Sequence, residues 1–157
     1  ADRQAGPTMS AAIHLAGPDD FEKVLVLVTT FHGEVGIEST EDIRRAGIEP
    51  LLNGSPYGVI YLIGPTRAPV GYIAITFGWS LEFGGMDGFV DELFIRPAVR
   101  GRGVASEVLT ELPKALAQAG LKALHLEVDR EDEAAQRLYL RSRFKPRDHN
   151  ILMTKQL

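Results

Sequence analysis

Residues 91–106, Asp91-Glu92-Leu93-Phe94-Ile95-Arg96-Pro97-Ala98-Val99-Arg100-Gly101-Arg102-Gly103-Val104-Ala105-Ser106, run from an apolar strand through a proline-stopped basic loop into a helix. The first N–H groups of a helix have no intrahelical partners and lie at the positive end of its macrodipole, so such a junction suits an anion, above all a phosphate. Gly101 and Gly103 let that group come close to the backbone, and Arg100 and Arg102 add charge. No other stretch offers chemistry as specific. The chain has no cysteine, which excludes disulfides, thiolate catalysis and cysteine-bound zinc. His14, His32, His125 and His149 are widely separated and lack metal-ligand spacing, so no metal is expected and each histidine reads as structural or superficial.

The elements that must position this loop follow from pattern. Residues 11–15 suit a first strand, and Pro18-Asp19-Asp20 opens a helix whose apolar positions Phe21, Val24, Leu25, Val28 and Phe31 recur at helical spacing, with an end near Gly33. Ser39-Thr40-Glu41-Asp42 caps a second helix that ends near Asn53-Gly54. The β-branched and aromatic runs 57–63, 70–77 and 88–95 predict three antiparallel strands, the last two joined by a connection over 79–87. Val104, Val108, Leu109, Leu112 and Leu116 share one face of a helix over 104–119, which Gly120 closes. Residues 121–128 alternate as a strand parallel to its predecessor across that helix. A last helix over 131–142 and a closing strand over 151–154 complete the pattern. The fold class is therefore α/β (α+β): a mixed central sheet of six to seven strands flanked by about four helices.

Composition agrees with one domain, over residues 9–157, and residues 1–8 read as a leader ahead of Met9. The 157 residues carry 17 basic and 21 acidic side chains, a net charge of −4, which argues against a surface built to bind nucleic acid. The longest apolar run, 24–28, is far too short for a membrane span, so a soluble, cytoplasmic protein is expected.

Three features together, the strand-loop-helix cradle, the β-α-β-α continuation and a tyrosine in the last helix, resemble the GNAT superfamily of acyl-CoA N-acyltransferases. Arg100, Gly103 and Ala105 match the family's cofactor loop, and Ala135, Leu138 and Tyr139 match its later helical motif, with Asp132 where asparagine is usual. Phe144 follows the helix as in the family's Gly-Phe, with Arg143 in place of the glycine. The resemblance implies an acetyltransferase that moves an acetyl group from acetyl-CoA to a primary amine by direct attack. It implies a pyrophosphate held by backbone N–H groups of Arg100, Gly101, Arg102, Gly103, Val104, Ala105 and Ser106. The pantetheine arm would lie along Leu93, Phe94 and Ile95, on a strand splayed from its parallel neighbour. The Leu93 N–H becomes the oxyanion donor, Tyr139 the acid that protonates the leaving thiolate, and Asp91 or Glu92 the group that takes a proton from the attacking ammonium. Strand alternation sends Asp91 and Glu92 to opposite faces, so one of them faces the substrate unless a bulge intervenes.

Asp132 keeps an acceptor but loses the amide donor, which weakens its expected cofactor contact. Trp79, Phe83 and Phe77 read as core cover in preference to an acceptor pocket. The acceptor, a small molecule or peptide amine, is left open, and a homodimer is common in the family. Two other readings stand beside the enzyme: an acyl-CoA-binding sensor without turnover, and a dinucleotide-binding βαβ unit suggested by Gly101 and Gly103, which Ser106 and the upstream antiparallel strands oppose.

Overall fold

A computed structural model describes residues 12–157; the expected leader, Met9 and Ala11 lie outside the described residues. Contacts divide the chain into two compact units, Ala1–Glu127 and Val128–Leu157.

In the first unit the elements run β1 (Ile13–Leu15), α1 (Phe21–Val35), α2 (Glu41–Leu52), β2 (Gly58–Ile63), β3 (Gly71–Ser80), β4 (Gly85–Ile95), α3 (Val104–Gln118) and β5 (Ala123–Leu126). A 3₁₀ turn, Pro18–Asp20, leads into α1, and Thr40 caps α2 by accepting from the Ile43 N–H at 3.2 Å. The five strands form one sheet in chain order, antiparallel up to β4 and parallel between β4 and β5. The mixed α/β class stands, with five strands among the described residues in place of six to seven.

Two boundaries differ from the sequence reading for local reasons. Helix α1 passes through Gly33 and stops at Gly36, whose φ of 77° supplies the left-handed cap. The connection expected over 79–87 is mostly strand: β3 reaches Ser80 and β4 begins at Gly85, with Trp79↔Met86 and Ser80↔Gly85 still paired. Cross-strand pairing there outweighs the glycines and acids that suggested a loop. Trp79 is consequently not core cover; it stands on the hairpin 71% exposed.

One sheet face carries Ile60, Leu62, Tyr72, Ala74 and Phe94, which pack with Val24, Leu27 and Val28 of α1 and Ile48 and Leu52 of α2. Each fully buried large side chain there contributes about 1.5–3 kcal/mol of transfer free energy. Alternation turns Ile73, Ile75 and Val90 to the opposite face, where the buried stripe of α3, Val104, Val108, Leu109, Leu112 and Leu116, is available to cover them.

The second unit contains α4 (Glu133–Arg141), capped by Asp132, whose side chain accepts from the Ala135 N–H at 3.0 Å. Residues 151–154 are irregular, so the closing strand is not formed there.

Candidate active site

The register between β3 and β4 slips beside the carboxylate pair. Ala74 pairs with Glu92 and Ile75 with Val90, which leaves Asp91 as an extra residue in a β-bulge. The bulge removes the strict alternation that would have sent Asp91 and Glu92 to opposite faces.

Pairing between β4 and β5 ends at the same place. Its last partners are Val90↔Leu126, and no described β5 residue pairs with Asp91, Glu92, Leu93, Phe94 or Ile95. The direction of the free groups follows from what lies beyond. The Arg96 N–H donates to the Val70 carbonyl at 2.7 Å, so Arg96, and by alternation Phe94, turn their backbone groups toward β3. Leu93 and Ile95 turn theirs away, toward the unpaired edge. The open edge offers an extended, amide-containing ligand a strand to pair with.

That edge runs directly into the glycine loop. Gly101 and Gly103 have φ of 78° and 79°, and a Cβ at either would meet nothing within 4 Å. Gly103 is the N-cap of α3 and has no side chain to cap it, while the first N–H to find its helical carbonyl is that of Glu107, on Gly103 at 3.0 Å. The amides of Val104, Ala105 and Ser106 are therefore left to an outside acceptor. Arg100 does not add its charge to the loop as expected. Its Nε donates to the Ile95 carbonyl at 2.8 Å, its Nη2 meets Glu34 of α1 at 2.6 Å, and the guanidinium lies 5.7 Å from the Phe94 ring centre. Arg102 is exposed.

The two carboxylates at the bulge have different surroundings. Glu92 accepts from the Tyr72 hydroxyl at 2.6 Å and meets His32 Nε2 at 2.7 Å; the other ring nitrogen of His32 lies 2.7 Å from Ser39 Oγ. Arg44 Nη1 reaches the same Ser39 hydroxyl at 3.0 Å. The His32 and Glu92 side chains are 13% and 18% exposed, so this chain of bonds is largely shielded from water. Burial, and then the Glu92 charge, hold the Tyr72 hydroxyl far above the usual phenol range. Asp91 is exposed, yet partial desolvation at the bulge, followed by the Glu92 charge, pushes its carboxyl above the usual range. Glu127 adds to that rise and His32 opposes it.

Sequence reasoning missed His32, Ser39 and Tyr72. His32 is 60 residues from Glu92, and only the packing of α1 on the sheet brings them together. His125 is likewise paired, with Asp87 at 3.1 Å, beside the Phe83 and Phe89 rings. Among the described residues no group of His, Asp and Glu could hold a metal ion, and no helix is long and apolar enough to cross a membrane.

The sequence profile of the acetyltransferase (GNAT) family matches residues 22–144, which include the bulge, the strand edge and the glycine-lined helix start. The chain belongs to the GNAT acetyltransferase family. An integron cassette protein from the mobile metagenome of Cole Harbour Salt Marsh is 30% identical, with a TM-score of 0.81 over 95% of this chain and 92% of that one. Two more distant structures share the fold. An aminoglycoside acetyltransferase from an uncultured soil metagenomic sample, in complex with sisomicin, is 12% identical with a TM-score of 0.78 over 93% and 95% of the two chains. A ribosomal-protein-alanine N-acetyltransferase from Brucella melitensis is 16% identical with a TM-score of 0.73 over 92% and 99%. No curated protein matches significantly.

In the second unit of this GNAT chain, Tyr139 is half-buried, with its ring against Phe144 at 6.0 Å and 69°. Burial, and then the Asp132 charge, raise its hydroxyl above the usual phenol range. Arg143, where the family has glycine, keeps a glycine-like φ of 75°, the only positive φ of a non-glycine residue among those described. The αL turn survives the substitution at a cost of about 1–2 kcal/mol.

Proposed function

We propose that this acetyltransferase moves an acetyl group from acetyl-CoA to a primary amine by direct attack, with a single catalytic domain over residues 9–157. The observation that carries the reading is the β4 edge, unpaired from Asp91 to Ile95 and continuous with the open amides of Val104, Ala105 and Ser106. Pyrophosphate takes the glycine loop, and the pantetheine arm takes the backbone groups of Leu93 and Ile95. Binding there requires Arg100 Nε to give up the Ile95 carbonyl.

The chemistry then has one place for each charge. Asp91, with no committed partner, takes a proton from the acceptor ammonium. The freed amine attacks the thioester carbonyl, a C–N bond forms, and the oxyanion is stabilised by the Leu93 N–H, worth about 3 kcal/mol. As the C–S bond breaks, the thiolate is protonated by Tyr139, whose raised proton affinity keeps it in the acid form at neutral pH; the second proton, shed by the attacking nitrogen as it becomes an amide, restores Tyr139 through solvent, and Asp91 returns its proton to water. Asp132 is committed to capping α4, which argues against a cofactor contact. The aminoglycoside and ribosomal-protein enzymes of this fold have very different acceptors, so the acceptor is defined here only as an amine. A second reading, a sensor that binds acyl-CoA without turnover, is favoured by Asp132 and Arg143, the two departures from the family pattern. Tyr139→Phe distinguishes them: the enzyme loses turnover and keeps acetyl-CoA affinity, whereas a sensor shows no amine-dependent turnover before or after the change.

A further inference from the structure

The hydrogen-bond chain at the bulge has a fixed direction. An ionised Glu92 offers only acceptors, so the Tyr72 hydroxyl and His32 Nε2 must both donate to it. In the neutral His32 ring Nδ1 is then the acceptor, which the Ser39 hydroxyl supplies with a proton, and the Ser39 oxygen in turn accepts from Arg44 Nη1. Every donor in the chain points toward Glu92. A carboxylate that receives two short bonds in a shielded place is held still.

We propose that His32, oriented by Ser39, is a positioning residue that fixes the Glu92 carboxylate in place, and that this carboxylate, next to Asp91 at the bulge, equips Asp91 as the proton acceptor. The groups that interact electrostatically with Asp91 are Glu92 on its own strand, His32 from α1, Tyr72 from β3 and Glu127 after β5. Of these, Glu92 is the nearest in sequence and the one whose carboxylate is held in place by two hydrogen bonds. A like charge beside Asp91 raises its affinity for a proton, and a base with higher affinity takes a proton more readily from an ammonium. The His32 hydrogen bond is to Glu92, and that contact is the one through which it positions the pair. Its place in the last turn of α1 lets the whole chain be set by the packing of that helix on the sheet.

The kinetic part of this inference rests on the acetyl-transfer reading; the titration part does not. In the full chain, the carboxyl carbon of Asp91 is titrated by NMR in wild type and Glu92→Gln, and kcat/KM is followed against pH. Removing the like charge lowers the Asp91 titration, and the acidic limb of the rate profile, by about 1 pH unit. Turnover in Glu92→Gln stays within about tenfold of wild type, whereas Asp91→Asn loses about 100-fold or more. His32→Ala lowers kcat about tenfold with the acetyl-CoA KM unmoved, His32→Gln restores part of the loss by donating to Glu92, and His32→Ala adds nothing in a Glu92→Gln background. The inference is overturned if Asp91 titrates identically in Glu92→Gln, if Glu92→Gln is as inactive as Asp91→Asn, or if the His32 and Glu92 losses add in full. Wild-type protein without amine turnover overturns the acetyl-transfer reading, and the Asp91 titration still decides this inference.

Discussion

Replacing Leu93 by proline removes one hydrogen-bond donor from the β4 edge and spares the sheet. The Arg96–Val70 bond fixes the alternation, so the Leu93 N–H points away from β3 and proline breaks no ladder bond there. If that N–H receives the developing oxyanion, its loss costs about 3–4 kcal/mol in the transition state, a fall in kcat of about 100- to 1000-fold. The half-buried leucine side chain is lost as well, so Leu93→Ala is the necessary control, with an expected destabilisation of about 1–2 kcal/mol, less than a fully buried leucine gives. The assay is thiol release from saturating acetyl-CoA at saturating amine, with thermal melts of both variants. A folded Leu93→Pro protein whose kcat lies within about threefold of Leu93→Ala refutes the oxyanion assignment. A cooperative melt with kcat about 100-fold below that control supports it.

The remaining predictions concern the acid, the cradle and the caps. Tyr139→Phe lowers kcat by about 100-fold or more while acetyl-CoA affinity, read by calorimetry, is retained. Because the Tyr139 hydroxyl is shifted upward, the acid form persists above pH 10; a fall in kcat through pH 8–9 that Tyr139→Phe abolishes would contradict the assignment. The acidic limb of kcat/KM, set by deprotonation of Asp91, lies above the ordinary aspartate range, because its carboxyl is shifted upward. Gly103→Ala introduces strain of about 1–2 kcal/mol at φ 79°, lowering Tm by roughly 3–6 °C, and its Cβ in the open cradle weakens CoA binding; unchanged CoA affinity would argue against a phosphate at Gly103. Arg143→Gly removes the same kind of strain and raises Tm by roughly 2–4 °C, as differential scanning calorimetry can measure.

Local chemistry made the cradle legible in the sequence. The order proline, arginine, glycine, arginine, glycine before a helical pattern has few structural meanings, and the structure gives both glycines the positive φ that such a loop requires. Helix α3 and the strand β5 that follows it were legible because a 3.6-residue period gives way to alternation across Gly120. The bulge was not legible, since it is a mismatch in residue count between β3 and β4 and neither strand alone contains it. Nor was the bond from His32 to Glu92, which depends on how α1 turns over the sheet and stops at Gly36 beyond Gly33. The extension of β3 to Ser80 was hidden by glycines and acids that a long hairpin tolerates when its partners pair. Residues 151–154 are a short apolar run that suits a strand, but such a run does not supply a partner.

The most direct test is release of CoA thiol from acetyl-CoA by the wild-type chain across a panel of small primary amines, aminoglycosides and peptide N-termini. The reading predicts release that depends on an amine and saturates with both substrates. Saturable acetyl-CoA binding with no amine-dependent release anywhere in the panel would contradict it and leave the sensor.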